Sequence, residues 1–513
     1  MQIPIAFGRD SSTVYSIQKI EMSFWEISSL FFYLVYLLLA IYASANIIYR
    51  ELDPVKSLSW VIVIFALPYL GLFLYAFLGQ NFRKIKIYNR KGVVDVKVRK
   101  RLSEAQLDLI EKDLEQSGSP LNLFRKLIIL NLRGNQSIIG SNSDVQIYFS
   151  GKEALDSMLE SIKKAKRHIH LQSYIIENDT IGNLFKDELI RKAKAGVEVR
   201  VIYDDVGCWS LPKEFTNNLT SAGIEVLNFA PVHFLTPTSK VNYRNHRKIL
   251  VVDGRVGFLG GVNIADRYYS GGAFGEWRDT HVRIVGESVL SLQSSFLLDR
   301  YFIKNRQFNK KRIKYFPDPS KETQNVHPEG KIVYSQILTS GPDSDWSSIM
   351  QCYLAAIMNA RKHIFIVTPY FTPNETILNA IKVAALGGVR VALMLPSKSD
   401  STITYWCTIS YAEELLEAGV EIYLFKNGFN HSKVISIDGD FCIIGSANLD
   451  NRSFDHNFEI TSILYDRGCA DIIDRRFRED IGRCKPLEYS KWSRRSKVKR
   501  VKESLARLLS PLL

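Results

Sequence analysis

Two stretches of the sequence each carry a histidine and a lysine two residues apart. The first is NHRKILVVDGRVGFLGGVN, from Asn245 to Asn263, and the second is NHSKVISIDGDFCIIGSAN, from Asn430 to Asn448. They share the pattern N-H-x-K-x4-D-G-x5-G-[GS]-x-N without a gap. Side chains two apart in a strand point to the same face, so each stretch presents its histidine and lysine together. A single H-x-K is common at strand ends, but two copies with identical spacing predict one joint active site.

These residue types suit phosphoryl chemistry. One imidazole can attack phosphorus while the opposing one protonates the leaving oxygen. Lysines and asparagines can neutralise and orient the nonbridging oxygens as charge grows in the transition state. We therefore predict a catalytic set and a phosphate-binding set. The catalytic set is His246, Lys248, Asp253, His431, Lys433 and Asp438, and the phosphate-binding set is Asn263, Asn448 and Ser446.

No pattern in the sequence resembles a magnesium or zinc cage. The carboxylates are not clustered, and no cysteine stands beside a histidine. The six cysteines show no C-x-x-C spacing, which indicates reduced thiols in a domain that faces the cytosol. Covalent catalysis through histidine needs no metal, so we expect neither a metal nor another cofactor.

The elements that must position the motifs are also repeated. The segment Lys166–Ile176 matches Arg361–Phe371, and each is preceded by an amphipathic helical pattern. A second helix and a strand follow in both halves, at Ala195–Asp205 and Gly387–Ser397. Alternating helices and strands predict an α/β fold with a covered sheet in each half. We expect two homologous domains that face each other across a pseudo-twofold axis.

The N-terminal part contains two uncharged apolar runs, Ile27–Ile48 and Ser57–Gly79. Each exceeds the roughly 20 residues that are needed to cross a bilayer, so we predict a hairpin of two transmembrane helices. The following segment, Asn81–Arg101, has nine basic residues against one acidic residue. By the positive-inside rule, the large C-terminal part is expected to be cytoplasmic.

The formal net charge of +14 favours an anionic partner, either nucleic acid or an anionic membrane surface. A basic tail that ends in apolar residues would suit the membrane. The polar segment Arg306–Lys331 predicts a boundary between the halves. The expected organisation is an N-terminal segment (1–26), two spans (27–79), a basic juxtamembrane linker (80–135), a first domain (136–310), a linker (311–330), a second domain (331–485) and a basic amphipathic tail (486–513).

The doubled motif resembles the phospholipase D superfamily, whose H-x-K-x4-D motif occurs twice per active site. More closely, the chain resembles the bacterial cardiolipin synthases. That resemblance includes LPYLGLFLYAFLG in the hairpin, RNHRK, GGVNIADRY, EWRDTHVRI and GSANLDNRSFDHNFE. It covers nearly the whole chain and implies two phospholipase D-like domains, each with a mixed sheet flanked by helices.

The resemblance also implies roles for individual residues. His246 would be the nucleophile that forms a phosphatidyl-histidine, and His431 the general acid and then the base. The motif aspartate is often structural in this superfamily, so Asp253 looks less catalytic than Asn263. A downstream carboxylate orients each histidine instead. Because FEITSIL aligns with RDTHVRI, we expect Glu459 behind His431 and Asp279 behind His246.

The implied reaction joins two phosphatidylglycerols into cardiolipin and glycerol, at the bacterial cytoplasmic membrane. Expected partners are phosphatidylglycerol and other anionic lipids, with no nucleic acid, and the sequence gives no oligomeric state. Alternatives are a membrane-bound phospholipase D hydrolase or a transferase with another alcohol acceptor. A superfamily nuclease would suit the basic charge but needs no bilayer anchor. A non-catalytic lipid-binding protein would not require paired histidines.

Overall fold

The computed structural model describes residues 23–49, 54–76, 100–108, 120–231, 243–304, 314–317 and 331–512. These residues belong to two compact units, Met1–Gln80 and Asn81–Leu513. The smaller unit contains the apolar runs, and the larger one contains both copies of the motif.

The N-terminal unit begins with the long apolar helix α1 (Phe24–Tyr49). Its 26 residues extend about 39 Å at 1.5 Å per residue, enough to cross a bilayer core of about 30 Å. Leu38 and Tyr42 are both 69% exposed on its surface. Among the described residues, α1 is the one helix long and apolar enough to span a membrane. The predicted span Ile27–Ile48 lies within it.

The second apolar run is not a single continuous helix. It forms α2 (Pro54–Ala66) and the short α3 (Leu70–Leu74). Pro68 cannot donate a backbone hydrogen bond, and Tyr69 adopts a φ of 61°. Both residues lie in the break between the end of α2 and the start of α3. The second of the two predicted transmembrane helices is therefore interrupted here, while residues 77–79 lie outside the described part of the chain.

Within the ranges given above, the larger unit is built on one mixed sheet of 15 strands, and four further short strands form two separate two-stranded sheets. The strands of the first half are β1 (Ile139–Tyr148), β2 (His168–Ser173), β3 (Glu198–Asp204), β4 (Glu225–Phe229), β5 (Ile249–Val252), β6 (Val256–Gly260), β7 (Trp277–Arg278) and β8 (His281–Gly286). Those of the second half are β9 (Val333–Ser340), β10 (His363–Val367), β11 (Phe371–Thr372), β12 (Arg390–Pro396), β13 (Glu421–Phe425), β14 (Phe429–Asn430), β15 (Val434–Ile437), β16 (Phe441–Gly445), β17 (Leu449–Asp450), β18 (Glu459–Tyr465) and β19 (Cys484–Leu487). Strands β7 and β14 form one of the small sheets, β11 and β17 form the other, and the rest form the large sheet.

Helices cover both faces of this sheet. Before and within the first half they are α4 (100–108), α5 (Arg125–Asn135), α6 (Gly151–Lys164), α7 (Thr180–Lys194), α8 (Lys213–Ser221), α9 (Asp266–Ser270) and α10 (Ser288–Lys304). In the second half they are α11 (Ser348–Asn359), α12 (Glu375–Leu386), α13 (Thr402–Ser410), α14 (Ala412–Glu417), α15 (Asn451–Asp455), α16 (Arg467–Ile481), α17 (Tyr489–Trp492) and α18 (Lys497–Arg507). Short 3₁₀ helices occupy Pro120–Phe124 and Ser510–Leu512.

The strand order confirms the α/β fold and the internal repeat. The first half runs β4-β3-β2-β5-β6-β8-β1, and the second half mirrors it as β9-β18-β16-β15-β10-β12-β13, with β19 added at the edge. Strands β1 and β9 pair antiparallel at the centre and join the two halves into one sheet. The motif strands β5 and β15 are buried along their whole length, as expected for strands that are covered on both faces.

Segments outside the two repeats also contribute to the core of the second half. Helix α5, within the expected linker 80–135, buries Leu127, Ile128 and Leu132 in the same apolar cluster as α11. In the expected tail, Ser510 hydrogen-bonds Tyr411 at 2.7 Å. Residues that precede the first half and residues that follow the second half therefore both pack against the second half.

The motif aspartates lie in turns, away from the histidines. Asp253 and Asp438 have φ values of 56° and 57°. The carboxylate of Asp253 accepts hydrogen bonds from the backbone N–H groups of residues 166–168 at 2.7–2.9 Å, and Asp438 does the same for residues 361–363. Strand β5 separates Asp253 from Lys248 by about 16 Å at roughly 3.3 Å per residue. The expectation that these two aspartates are catalytic is corrected, because each one anchors the start of a neighbouring strand.

We predict that Asp253→Ala destabilises the protein without altering the geometry of the histidines. Leaving three backbone N–H groups without their acceptor lowers the free energy of unfolding by about 2–4 kcal/mol. Denaturant unfolding in detergent measures this, with Asp187→Ala on α7, where the side chain is 71% exposed, as the control. Equal stability of the two variants would contradict the structural role.

Candidate active site

The two motif copies meet at one cavity between the halves of the larger unit. His246 lies at the entrance to β5 and His431 at the entrance to β15. Both histidines line a cavity of about 570 Å³. Its other lining residues are Tyr174, Ile175, Arg244, Asn263, Arg267, Tyr268, Trp277, Tyr370, Thr372, Asp400, Ser401, Thr404, Asn448, Asp450, Arg452 and Asn457.

His246, from the first half, is held by the second half. Its Nδ1 lies 3.0 and 3.1 Å from the two carboxylate oxygens of Glu459. Its backbone N–H donates to the carbonyl of Phe458 at 2.9 Å, next to Glu459 in the chain. The ring of Tyr174 packs edge-on against the imidazole with centroids 5.0 Å apart. The Nδ1–carboxylate contact leaves Nε2 as the ring nitrogen available for chemistry.

His431, from the second half, is held by the first half in the same way. Its Nδ1 lies 2.7 Å from Asp279 Oδ2, and its backbone N–H donates to the carbonyl of Arg278 at 2.7 Å. Strands β7 and β14 pair in parallel here, with Asn430 opposite Arg278. An equivalent bridge joins Asn245 to Phe458 on the other side of the pseudo-twofold axis.

The carboxylate assignment from the sequence is therefore corrected. Glu459 contacts His246 and Asp279 contacts His431, which is the reverse of the expected pairing. The repeat correctly identifies the two equivalent carboxylates, but it cannot say which half each one serves. The backbone just before each carboxylate pairs with the motif of the opposite half, so each carboxylate reaches the histidine of that half.

The two histidine–carboxylate pairs differ electrostatically. Burial lowers the pKa of both imidazoles, and Glu459 partly opposes this at His246. Burial raises the pKa of Asp279 to about 6. Burial also acts to raise the pKa of Glu459, but contacts with His246, Lys248 and Ser446 bring it below its usual value. Glu459 is thus fully ionised at neutral pH, whereas Asp279 titrates close to it.

Both motif lysines are buried beside their histidines. The Nζ of Lys248 donates to the carbonyl of His246 at 2.7 Å, and that of Lys433 donates to the carbonyl of His431 and lies 2.9 Å from its Nδ1. Burial lowers the pKa of Lys248 to about 7 and that of Lys433 to about 8. An incoming anion would favour the charged form of both amines.

The two asparagines line the cavity. Asn263 accepts a hydrogen bond from the N–H of Ile175 at 3.1 Å and donates one to the hydroxyl of Tyr268 at 2.7 Å. The side-chain amide of Asn448 donates to Asp450 at 3.0 Å. Their amides are therefore fixed in orientation at the cavity wall.

Ser446 does not reach the cavity, so its expected phosphate-binding role is corrected. Its hydroxyl donates to Glu459 and accepts from the N–H of Ile460 at 3.0 Å, which leaves no proton for a phosphate. In the other half Gly261 stands in its place. A Cβ there would lie 2.0 Å from Asp279 Oδ1, so glycine makes room for that carboxylate.

The structure adds residues that the sequence reasoning missed. Arg267 and Arg452 each stand four residues after the motif asparagine and line the cavity, so the repeat could have revealed them. Asp400 also lines the cavity but has no counterpart in the repeat. Among the described residues, no group of three or more histidines, cysteines or carboxylates could hold a metal ion.

Arg247, between the motif histidine and lysine, forms a buried ion pair within the first half and hydrogen-bonds across to the second half. Its guanidinium contacts both oxygens of Asp299 at 2.6 and 2.7 Å. It also donates to the carbonyls of Ser340 at 3.2 Å and Glu459 at 3.1 Å, on two strands of the second half. Arg247 thus fixes the backbone at Glu459. The motif that contains His246 therefore also positions the carboxylate that contacts this histidine.

The crossed pairing predicts that Glu459→Gln changes His246 and leaves His431 unaffected. Removing the carboxylate lowers the pKa of His246, so the neutral, reactive imidazole persists to lower pH. Mass spectrometry of diethylpyrocarbonate-modified protein gives the pH midpoint for each histidine. Asp279→Asn, the matched control, should shift His431 instead. A shift in the pH midpoint of His431 in Glu459→Gln would instead indicate that each carboxylate pairs with the histidine of its own half.

Comparison with known proteins agrees with this architecture. The family model described as "Cardiolipin synthase, PLD-like domain" matches residues 158–273 and 353–481, and a phospholipase D-nuclease N-terminal model matches residues 38–80. A cardiolipin synthase of Oceanobacillus iheyensis is 40% identical over 95% of this chain and its own full length. The major cardiolipin synthase of Bacillus subtilis is 36% identical, with the same coverage.

Among solved structures, the phosphatidylserine synthase of Haemophilus influenzae shares the fold. It has a TM-score of 0.57 and 16% sequence identity, and the match covers 76% of this chain and 100% of that one. The doubled motif, the joint cavity and the nearly full-length identity lead to one conclusion. The chain belongs to the cardiolipin synthase family of the phospholipase D superfamily.

Proposed function

We propose that this protein synthesises cardiolipin by transferring a phosphatidyl group from one phosphatidylglycerol to another, with release of glycerol. The observation that carries the proposal is a single cavity lined by two histidines, each held at Nδ1 by a carboxylate. Such a pair can act in succession as nucleophile and acid–base catalyst at phosphorus.

In the first step, Nε2 of His246 attacks the phosphorus of the donor lipid. The N–P bond forms, the bond from phosphorus to the glycerol oxygen breaks, and His431 gives that oxygen a proton. Glu459 accepts a hydrogen bond from Nδ1–H of His246 and balances the positive charge that develops on the imidazole. The lower pKa of Glu459 compared with Asp279 favours His246 as the nucleophile.

In the second step, a hydroxyl of the acceptor phosphatidylglycerol attacks the phosphatidyl-histidine. His431 takes the hydroxyl proton, the new O–P bond forms and the N–P bond breaks, which frees His246. Lys248 and Lys433, with the amides of Asn263 and Asn448, would stabilise the nonbridging oxygens in both steps. The negative charge of the bound phosphodiester raises the pKa of His431 and prepares it to act as an acid.

We propose that both apolar runs cross the bilayer and leave the catalytic unit in the cytoplasm. The second run would cross as α2 and α3 with a break at Pro68, since spanning helices tolerate proline where neighbouring groups satisfy the freed backbone. The basic segment Asn81–Arg101 supports this orientation. We also propose the expected domain limits: a first domain at 136–310, a second domain at 331–485 and a tail at 486–513.

Helix α18 supports contact with anionic lipid as well. It buries Glu503 and Ala506 against the protein. Its opposite face carries an apolar stripe that continues to Leu508, the residue just after the helix. The members of this stripe are 57–75% exposed: Val498, Val501, Leu505 and Leu508. At 100° per residue, Lys497 and Lys502 flank that stripe, the arrangement of a helix lying in a lipid interface.

The first test incubates the purified full chain with labelled phosphatidylglycerol in vesicles and separates the products. We expect cardiolipin and glycerol in equal amounts, without added nucleotide. Phosphatidic acid alone would indicate a hydrolase, and product formed only with another alcohol would indicate a different transferase. Cleavage of DNA without lipid turnover would replace the proposal with a nuclease.

Replacement of either histidine should abolish this synthesis. His246→Ala removes the nucleophile and His431→Ala the acid, so each variant should lose at least about 10³-fold in rate. His363→Ala, at the start of β10 and paired with Asp474 rather than facing the cavity, is the control that should keep its turnover per folded molecule. A rate near wild type in either active-site variant would contradict the two-histidine mechanism.

If α18 contacts lipid, disrupting its apolar stripe should slow the reaction only when the substrate is in a bilayer. The double variant Val501→Asp/Leu505→Asp should lower the rate on phosphatidylglycerol in vesicles and leave the rate in detergent micelles unchanged. Leu184→Asp, on α7 and 51% exposed in wild type, serves as the control. Equal rates of the double variant and the control in vesicles would remove α18 from the proposed membrane contact.

A further inference from the structure

A carboxylate lines the cavity on the side of His431, although the proposed substrates are anionic. Asp400 lies just before α13, and Ser401 and Thr404 line the cavity beside it. Asp400 Oδ2 accepts a hydrogen bond from the hydroxyl of Tyr370 at 2.7 Å. The ring of Tyr370 lies edge-on to that of His431, with centroids 6.1 Å apart. This carboxylate is therefore fixed close to the second histidine.

Arginines line the cavity beside both histidines. Burial raises the pKa of Tyr174, and Arg452 and Arg244 are close enough to oppose this. Tyr174 packs against His246. Arg244 and Arg452 thus accompany His246.

Arg267 lies over the rings of Tyr268 and Trp277. Both rings pack against His431, so an arginine and the carboxylate of Asp400 share the His431 side.

A carboxylate only accepts hydrogen bonds, so a ligand beside Asp400 must bring donors. Ser401 can donate a hydrogen bond to the same ligand. Its Oγ accepts from the N–H of Thr404 at 3.3 Å and from the Thr404 hydroxyl at 2.9 Å, which leaves its own proton to donate. Together these groups match neighbouring hydroxyls, each of which both donates and accepts.

The proposed mechanism places such hydroxyls on this side. If His246 attacks phosphorus in line, the leaving oxygen departs on the opposite side, toward His431. In phosphatidylglycerol that oxygen belongs to a glycerol with two free hydroxyls. The same position receives the attacking hydroxyl of the acceptor in the second step, because the two steps are the reverse of each other at phosphorus.

We propose that Asp400 and Ser401 form a binding site for the glycerol headgroup and select it as both leaving group and acceptor. This inference rests on the proposed function and identifies what distinguishes glycerol from water and from other alcohols at the same phosphatidyl-enzyme. Asp400 would orient the hydroxyl next to the reacting one, and Ser401 would donate to its oxygen.

The test measures how the phosphatidyl-enzyme partitions between competing free alcohols. The full chain is reconstituted with phosphatidylglycerol labelled in its acyl chains, and isotopically labelled glycerol, 1,3-propanediol, 1-propanol and ethanolamine are added at equal concentrations. Each phosphatidyl-alcohol, the cardiolipin and the phosphatidic acid are then quantified by mass spectrometry. Wild type should favour glycerol, with its neighbouring hydroxyls, over both propanediol and propanol.

Asp400→Asn should lower the ratio of glycerol to propanol product by about tenfold or more, because a hydrogen bond to a charged acceptor is lost. Asp400→Glu should restore part of the preference. A structural defect would lower all products equally, so the ratio separates selection from folding. Asp187→Asn, exposed on α7, provides the matched control and should keep the wild-type ratio.

An unchanged ratio in Asp400→Asn, with transfer intact, would overturn this inference and leave the proposed function standing. Preference of wild type for ethanolamine would also overturn it, because the carboxylate would then serve an ammonium group. If wild type transferred the phosphatidyl group to no alcohol and formed no cardiolipin, both the inference and the proposed function would fall.

Discussion

The contact between each motif histidine and a carboxylate from the opposite half is the interaction on which the rest of the structure depends. Neither half contains a complete pair, because His246 is held by Glu459 and His431 by Asp279. The backbone makes the same exchange, since each histidine N–H donates to the residue before that carboxylate. The halves must therefore be joined before either imidazole has a defined tautomer, and the continuous sheet across β1 and β9 joins them.

Within this symmetric frame, small differences give the two pairs different properties. Ser446 donates to Glu459, whereas Gly261 only makes room for Asp279. Glu459 keeps a pKa below its usual value, while burial raises that of Asp279 to about 6. Asp400 lies on the His431 side and has no counterpart in the repeat. A duplicated fold thus supplies two similar histidines, and its departures from symmetry favour one as the nucleophile and the other as the acid–base group.

Much of this could be predicted from the sequence because duplication makes the pattern visible. The α/β class and the two equivalent motifs followed from the repeat of Asn245–Asn263 in Asn430–Asn448. The sequence did not show which histidine Glu459 and Asp279 each contact. A repeat identifies equivalent residues, but it does not show whether they pair within one half or between the halves. Ser446 and the motif aspartates were misassigned since spacing does not show whether a polar side chain faces the cavity or the backbone. The break in the second apolar run depends on Pro68, whose effect composition alone understates.

The stereochemical course at phosphorus is the most direct test of the central claim that the crossed pairs make His246 a covalent nucleophile and His431 its acid–base partner. The substrate is phosphatidylglycerol made chiral at phosphorus with oxygen isotopes, and the configuration is read in the cardiolipin formed from it. Two successive in-line displacements, each with inversion, predict overall retention of configuration. Overall inversion would show a single direct displacement by the acceptor hydroxyl and would contradict the phosphatidyl-histidine on which this account depends.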